Sequence, residues 1–226
     1  LTPFLAVPHA AVAIGLAFVL APSGWIARLL APFAGGDRPP EIVTVGDPWG
    51  LALVLGLVIK EVPFILLVML SALSQIRTAQ HLAAGRALGY GRGIVWLKVI
   101  VPQLWPLIRL PVMVVLAYSL SVVDMALILG PSNPPVLAVQ VMRLFTSPDL
   151  SRLLPASAGA LLQALLVLGA FCVLWLAERA LRLVGRWWVR RGDRGLSAEP
   201  GLTTASFVVS GLMGLGLLAM AALVVW

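Results

Sequence analysis

The feature that most restricts this chain is a series of apolar runs, each near the roughly 20 residues that a helix needs to cross a bilayer. Five are read, Pro3–Pro22, Trp49–Leu73, Leu107–Leu129, Pro155–Ala177 and Leu202–Trp226. They are continuously apolar and lack the two-residue alternation of a membrane barrel, so helices are expected. Composition agrees: 61% of residues are hydrophobic and 11% charged, against roughly 45–50% and about 25% in soluble domains. Pro8, Pro63 and Pro111 fall in or near the runs. A bundle tolerates them, because neighbouring helices satisfy the freed carbonyls.

The net charge of +7 is unevenly spread. The second and third runs are separated by Arg77, Arg86, Arg92 and Lys98, and the fourth and fifth by Arg179, Arg182, Arg186, Arg190, Arg191 and Arg194. The other two loops carry only Arg28 with Arg38, and Arg143 with Arg152. Two crossings separate the richly basic loops, so both lie on one side, which the positive-inside rule makes cytoplasmic. The arginines sit beside apolar spans, where anchoring to the lipid bilayer explains them better than nucleic-acid binding does. Trp25, Trp49, Trp96, Trp105, Trp187, Trp188 and Trp226 fall near span ends, where an amphipathic ring prefers to sit.

The loop Ser23–Pro48 reads as irregular because it is rich in Gly, Pro and acidic residues. After Pro131-Ser132-Asn133-Pro134-Pro135, the stretch Val136–Phe145 is expected to form a short amphipathic helix. Small residues at Ala13, Ala17 and Ala21, and at Ala11 and Gly15, favour close helix packing in the first span. Arg179, Arg182, Arg186 and Arg190 recur at helical spacing and extend the fourth span into the cytoplasm. Gly192–Pro200 reads as a linker. The chain opens on leucine inside an apolar run, and the expectation is an internal piece of a longer polypeptide. Residues 1–178 then form the C-terminal part of one membrane module, 179–200 a basic linker, and 201–226 the first helix of a second module.

Loop 74–105 carries the functional signal. It reads His81-Leu82-Ala83-Ala84-Gly85-Arg86-Ala87-Leu88-Gly89-Tyr90-Gly91-Arg92-Gly93, then an apolar stretch ending at Pro102. Physically this is a short helix, a turn that glycine permits, and a second short helix returning to the membrane. Its small side chains suit docking into a groove of a soluble partner.

On these residues the chain resembles the permeases of ATP-binding-cassette importers, marked by Glu-Ala-Ala, three residues, Gly, nine residues, Ile-x-Leu-Pro. Ala83-Ala84-Gly85 stands at the first three positions, Gly89 at the glycine, and Val99-Ile100-Val101-Pro102 at the end. Ala83 replaces the glutamate and Gly85 the second alanine, so any salt bridge that the family makes through that carboxylate is not expected here. Lys60-Glu61-Val62-Pro63-Phe64 and Ser119-Leu120-Ser121-Val122-Val123-Asp124 resemble the branch that imports ferric iron, thiamine or sulfate-like ions. The likeness covers about residues 3 to 180. It implies an all-α, polytopic, type I importer-like helical bundle in a bacterial inner membrane, with a cytoplasmic coupling helix. Cytoplasmic ATPase subunits would dock on Ala83, Ala84, Gly85, Gly89, Val99 and Pro102, within loop 81–102. An external substrate-binding protein and a second permease module, fused or separate, complete the implied assembly. ATP and Mg would be bound by the partner subunits, with no cofactor on this chain.

Lys60, Glu61 and Asp124 lie within apolar runs. Charges at membrane depth cost roughly 2.5–3.5 kcal/mol each on insertion scales. Either they line the transport path or they orient helices by hydrogen bonding. Lys60 and Glu61 are adjacent and point in different directions on a helix. His9 reads as packed or interfacial, and His81 as a loop residue facing either solvent or the ATPase. Cys172 reads as a small core hydrophobe.

No phosphate-binding loop is present, since neither Lys60 nor Lys98 has the needed glycines. Two distant histidines and one cysteine do not make a structural zinc site. Gly195-Leu196-Ser197-Ala198 looks like a serine-protease nucleophile segment but has no histidine-bearing partner span. No catalytic or metal residue is assigned, and a transport subunit rather than an enzyme is expected. The alternative is a secondary transporter that uses Lys60, Glu61 or Asp124 to couple an ion gradient.

The charge asymmetry generates a topology test. Cysteines placed at Gln80 and Asp193 are expected to resist an impermeant external reagent in intact cells and to react after permeabilisation. External labelling of either reverses the orientation.

Overall fold

A computed structural model of the chain describes residues 6–34 and 43–190. The expected fifth span, the linker from residue 191 onward and the Gly195–Ala198 segment lie outside the described residues. Regular structure in the described part is helical. In order it comprises α1 (His9–Leu20), α2 (Trp25–Ala34), α3 (Leu51–Ser74), α4 (Thr78–Ala87), α5 (Arg92–Val95), a π-helical turn (Trp96–Ile100), α6 (Val101–Ser121), α7 (Asp124–Leu129), α8 (Leu137–Phe145), a 3-10 turn (Leu150–Arg152) and α9 (Leu153–Arg190). Four segments among the described residues are long and apolar enough to cross a membrane: His9–Leu29, Leu51–Ser74, Arg92–Ser121 and Leu150–Trp187. The chain is an all-α, multi-pass membrane protein.

Two expectations change. The loop Ser23–Pro48 is not wholly irregular, because Trp25–Ala34 is helical. Its Trp25, Ile26 and Leu29 share enough helical spacing to outweigh the glycines and prolines that follow. The third span does not run from Leu107 to Leu129. Its helical path starts at Arg92, and α6 ends at Ser121. Val123 has φ −110° and ψ −47°, and α7 begins afresh at Asp124. The β-branched pair Val122-Val123 slightly disfavours helix. Asp124 then places its carboxylate at the positive end of the new helix. Arg92 and Lys98 obscured the true start, since charged residues interrupt the apolar run.

The described residues divide into two compact units. One comprises 6–34, 43–64 and 118–165. Its core joins Val12, Ala13, Leu16 and Val19 of α1 to Ala52, Leu53 and Ile59 of α3, Met125, Ala126 and Leu129 of α7, and Val139 of α8. Ala13 and Gly15 are buried on α1, so small residues do bring this helix close to its neighbours. Gly56 serves the same end on α3: a Cβ there would lie 2.7 Å from Leu129 Cδ1 and 2.9 Å from Met125 Cε.

Loop groups in this unit close the helix ends. Asp47 accepts from the amides of Leu51 (2.8 Å) and Ala52 (3.1 Å), which α3 leaves without intrahelical partners. Burial works against the charged form of Asp47, yet these amides outweigh it and hold the carboxyl below its usual range. Gly46 N–H donates to the Leu129 carbonyl at the end of α7. The break after α6 leaves the Leu120 carbonyl without its helical donor, and the Gln163 amide from α9 donates to it at 2.5 Å.

The second unit comprises 65–117 and 166–190. Ala72, Leu104 and Ile108 form its small core, flanked by Val68, Met69, Leu73, Ile76 and Trp105. Within it α6 opens from the π-helical turn, where Val101 N–H reaches back five residues to the Trp96 carbonyl. Pro102 explains the widening. It lacks an N–H, and its ring clashes with the carbonyl four residues earlier in a regular α-helix. Gln103 Nε2 donates to the Val99 carbonyl at 2.9 Å, so the altered ladder keeps that acceptor satisfied.

Candidate functional site

The loop that carries the sequence pattern is a helical hairpin within the second unit. Helix α4 stops because Gly89 adopts φ +78°. Gly89 N–H donates to the Arg86 carbonyl at 2.9 Å, and Tyr90 N–H to the Gly85 carbonyl at 2.9 Å. These two bonds make a Schellman motif, whose left-handed position strongly favours glycine. The chain then turns through Gly91 into α5. Lys98 Nζ lies 5.9 Å from the centre of the Tyr90 ring, a cation–π contact across the turn.

Gly85 accounts for one departure from the family pattern. A Cβ at this position would overlap Cγ2 of Val95, the buried residue of α5. The alanine of the pattern fits only if Val95 moves. Ala83 and Ala84 are exposed on α4, and no residue of that helix is buried. Pro102 is exposed, Val99 half-buried and Gly89 exposed. The hairpin therefore groups Ala83, Ala84, Gly85 and Gly89 on one short element. Val99 and Pro102 lie across the π-helical turn leading into the membrane. His81 turns back on its own helix, with Nδ1 2.9 Å from the Arg77 carbonyl.

The membrane charges fall in the first unit on α1, α3, α6 and α7. Lys60 is buried and donates to the Val7 carbonyl at 2.5 Å. Glu61 points elsewhere, with Oε1 3.1 Å from His9 Nε2. The His9 and Tyr118 rings lie 4.6 Å apart. A connected set of groups thus runs through Glu61, His9 and Tyr118. Asp124 is exposed at the start of α7. The partnership of His9 with Glu61 had no local signal, since 52 residues separate them.

A second network lies outside the expected sites, in the second unit. Glu178 is buried and accepts from Trp105 Nε1 at 2.8 Å and Arg182 Nη2 at 3.1 Å, with Arg109 Nε at 3.5 Å. The four-residue spacing of Glu178 and Arg182 was a visible helical pair.

The chain is similar to an ABC transporter permease. It is 32% identical over 178 residues to the inner membrane ABC transporter permease protein YnjC of Escherichia coli (strain K12). The match covers 79% of this chain and 33% of that protein, so the chain spans about a third of its relative's length. No protein-family model matches the chain, and no solved structure matches it.

The contact between α4 and α5 yields a prediction. Gly85→Ala overpacks the hairpin and is expected to cost about 1–3 kcal/mol. Hydrogen exchange at amides 78–90 of the full chain measures it as lost protection. Adding Val95→Ala is expected to recover part of the loss. Equal protection in Gly85→Ala and the parent would mean that α4 and α5 do not touch as described.

Proposed function

We propose that the chain is part of the membrane-spanning permease of an ATP-binding-cassette importer, held in a bacterial inner membrane. The observation that carries this reading is the glycine-terminated hairpin between two membrane spans, in the sequence pattern of such permeases. Similarity to a permease over most of the chain supports it. Cytoplasmic ATPase subunits dock on Ala83, Ala84, Gly85 and Gly89, and ATP with Mg is bound and hydrolysed there rather than on this chain. Closure of the ATPase pair pushes the hairpin, and the push passes through Val99 and Pro102 into α6. An external binding protein delivers the substrate. A second module of the tandem iron or thiamine type, preceded by the linker 179–200, completes the pathway.

A second reading rests on the polar set of the first unit. His9, Glu61, Tyr118 and Asp124 are the kind of intramembrane groups that ion-driven transporters use to bind a coupling ion. In the permease reading the same residues line or orient the substrate path. Asp124→Asn is expected to reduce transport while assembly with the ATPase persists. Transport that depends on an ion gradient and proceeds without ATP in proteoliposomes would favour the second reading.

Gly89 gives the decisive test of coupling. A β-branched side chain is strongly disfavoured at φ +78°. Gly89→Val is expected to displace α4 and abolish substrate-stimulated ATP hydrolysis by the purified complex, while the spans still insert. Normal ATPase binding and normal stimulation in this variant would remove the hairpin from the coupling role.

A further inference from the structure

The second unit contains a cleft that the permease reading does not use. It is lined by Arg109, Trp175, Glu178, Arg179, Arg182, Leu183 and Arg186. Four guanidinium groups face it against a single carboxylate. That carboxylate is already engaged on both oxygens, by Trp105 and Arg109 on one and Arg182 on the other. Glu178 therefore positions the cations without cancelling them. Its side chain is 8% exposed, whereas those of Arg109 and Arg182 are 45% and 63% exposed. Arg179 lies 5.8 Å from the centre of the Trp175 ring, which fixes another wall. Arg186 makes no ion pair among the described residues.

We propose that this cleft binds the phosphate of an anionic phospholipid headgroup. Guanidinium forks match phosphate oxygens in geometry and charge. The surroundings select a lipid as the source of that phosphate. Leu176, Leu181, Leu183 and Val184 are all large, apolar and exposed beside the arginines. A free anion, an acidic protein segment or a nucleic acid has no use for such a border, while acyl chains do. Arginine clusters immediately beside a membrane span are also where anionic headgroups collect. The site does not depend on the permease assignment, since any membrane protein with this helix presents it.

The test uses the full chain purified in detergent and titrated by native mass spectrometry. Phosphatidylglycerol is expected to bind and phosphatidylcholine to bind far more weakly. Arg182→Gln with Arg186→Gln is expected to weaken phosphatidylglycerol on the order of tenfold or more, from the loss of two charges near the headgroup. Arg28→Gln, in the other unit, is expected to leave it unchanged. The single variant Arg186→Gln breaks no described ion pair, so it reports on binding should the double variant fail to fold. It is expected to weaken phosphatidylglycerol severalfold. Unchanged binding in Arg186→Gln, or equal binding of the two lipids, overturns the proposal. Displacement by millimolar inorganic phosphate would assign the cleft to a free anion instead. Displacement by polyglutamate would assign it to an acidic protein segment.

Discussion

A polar backbone group that lies in hydrocarbon must find its partner inside the protein. This condition accounts for the helical build of the described residues, and it governs where the helices are allowed to fail. Each interruption comes with a substitute partner. The gap between α6 and α7 is met by the Gln163 amide on the Leu120 carbonyl. The start of α3 is met by the Asp47 carboxylate. The widened turn before α6 reforms its ladder one residue longer, with Gln103 holding the Val99 carbonyl. Polar side chains near these breaks complete the main chain first and serve any other purpose second.

The same economy shapes the loop hairpin. Its turn is held almost wholly by backbone bonds from Gly89 and Tyr90, and its two helices meet through the absence of a side chain at Gly85. An element built this way leaves its outer surface uncommitted. Ala83 and Ala84 remain exposed because they take no part in holding the hairpin together. A surface spared from internal packing can accept contacts from another chain without loosening its own fold.

Much of this was legible in the residues. The span Leu51–Ser74 follows from the apolar run Trp49–Leu73, the span Leu150–Trp187 from the run Pro155–Ala177 with the arginine spacing after it, and α8 from the amphipathic stretch after Pro135. The turn at Gly89 was visible because few residues besides glycine end a helix in this way. The third span was harder, since Arg92 and Lys98 sit within its helical path, and composition alone cannot distinguish a charge near the interface from a loop. Helix α2 was masked by the Gly and Pro residues that follow it. The membrane charges were found at once but their partners were not. Neither the bond from Lys60 to the Val7 carbonyl nor the pair of His9 with Glu61 leaves a local trace, because each joins α3 to a distant stretch of chain. Gly85 looked like a simple departure until Val95 supplied its reason.

Helix α9 is 38 residues long. At 1.5 Å per residue it measures about 57 Å, nearly twice the roughly 30 Å of a hydrocarbon core. Its excess length cannot be held within the hydrocarbon core, so the helix runs on through the headgroup region as a stiff arm continuing the membrane span. Any change in tilt within the membrane is magnified at the arm's far end, as at the tip of an oar pivoting in its lock. Glu178, held by Trp105 and Arg109 of α6, works against such swings near the base of that arm.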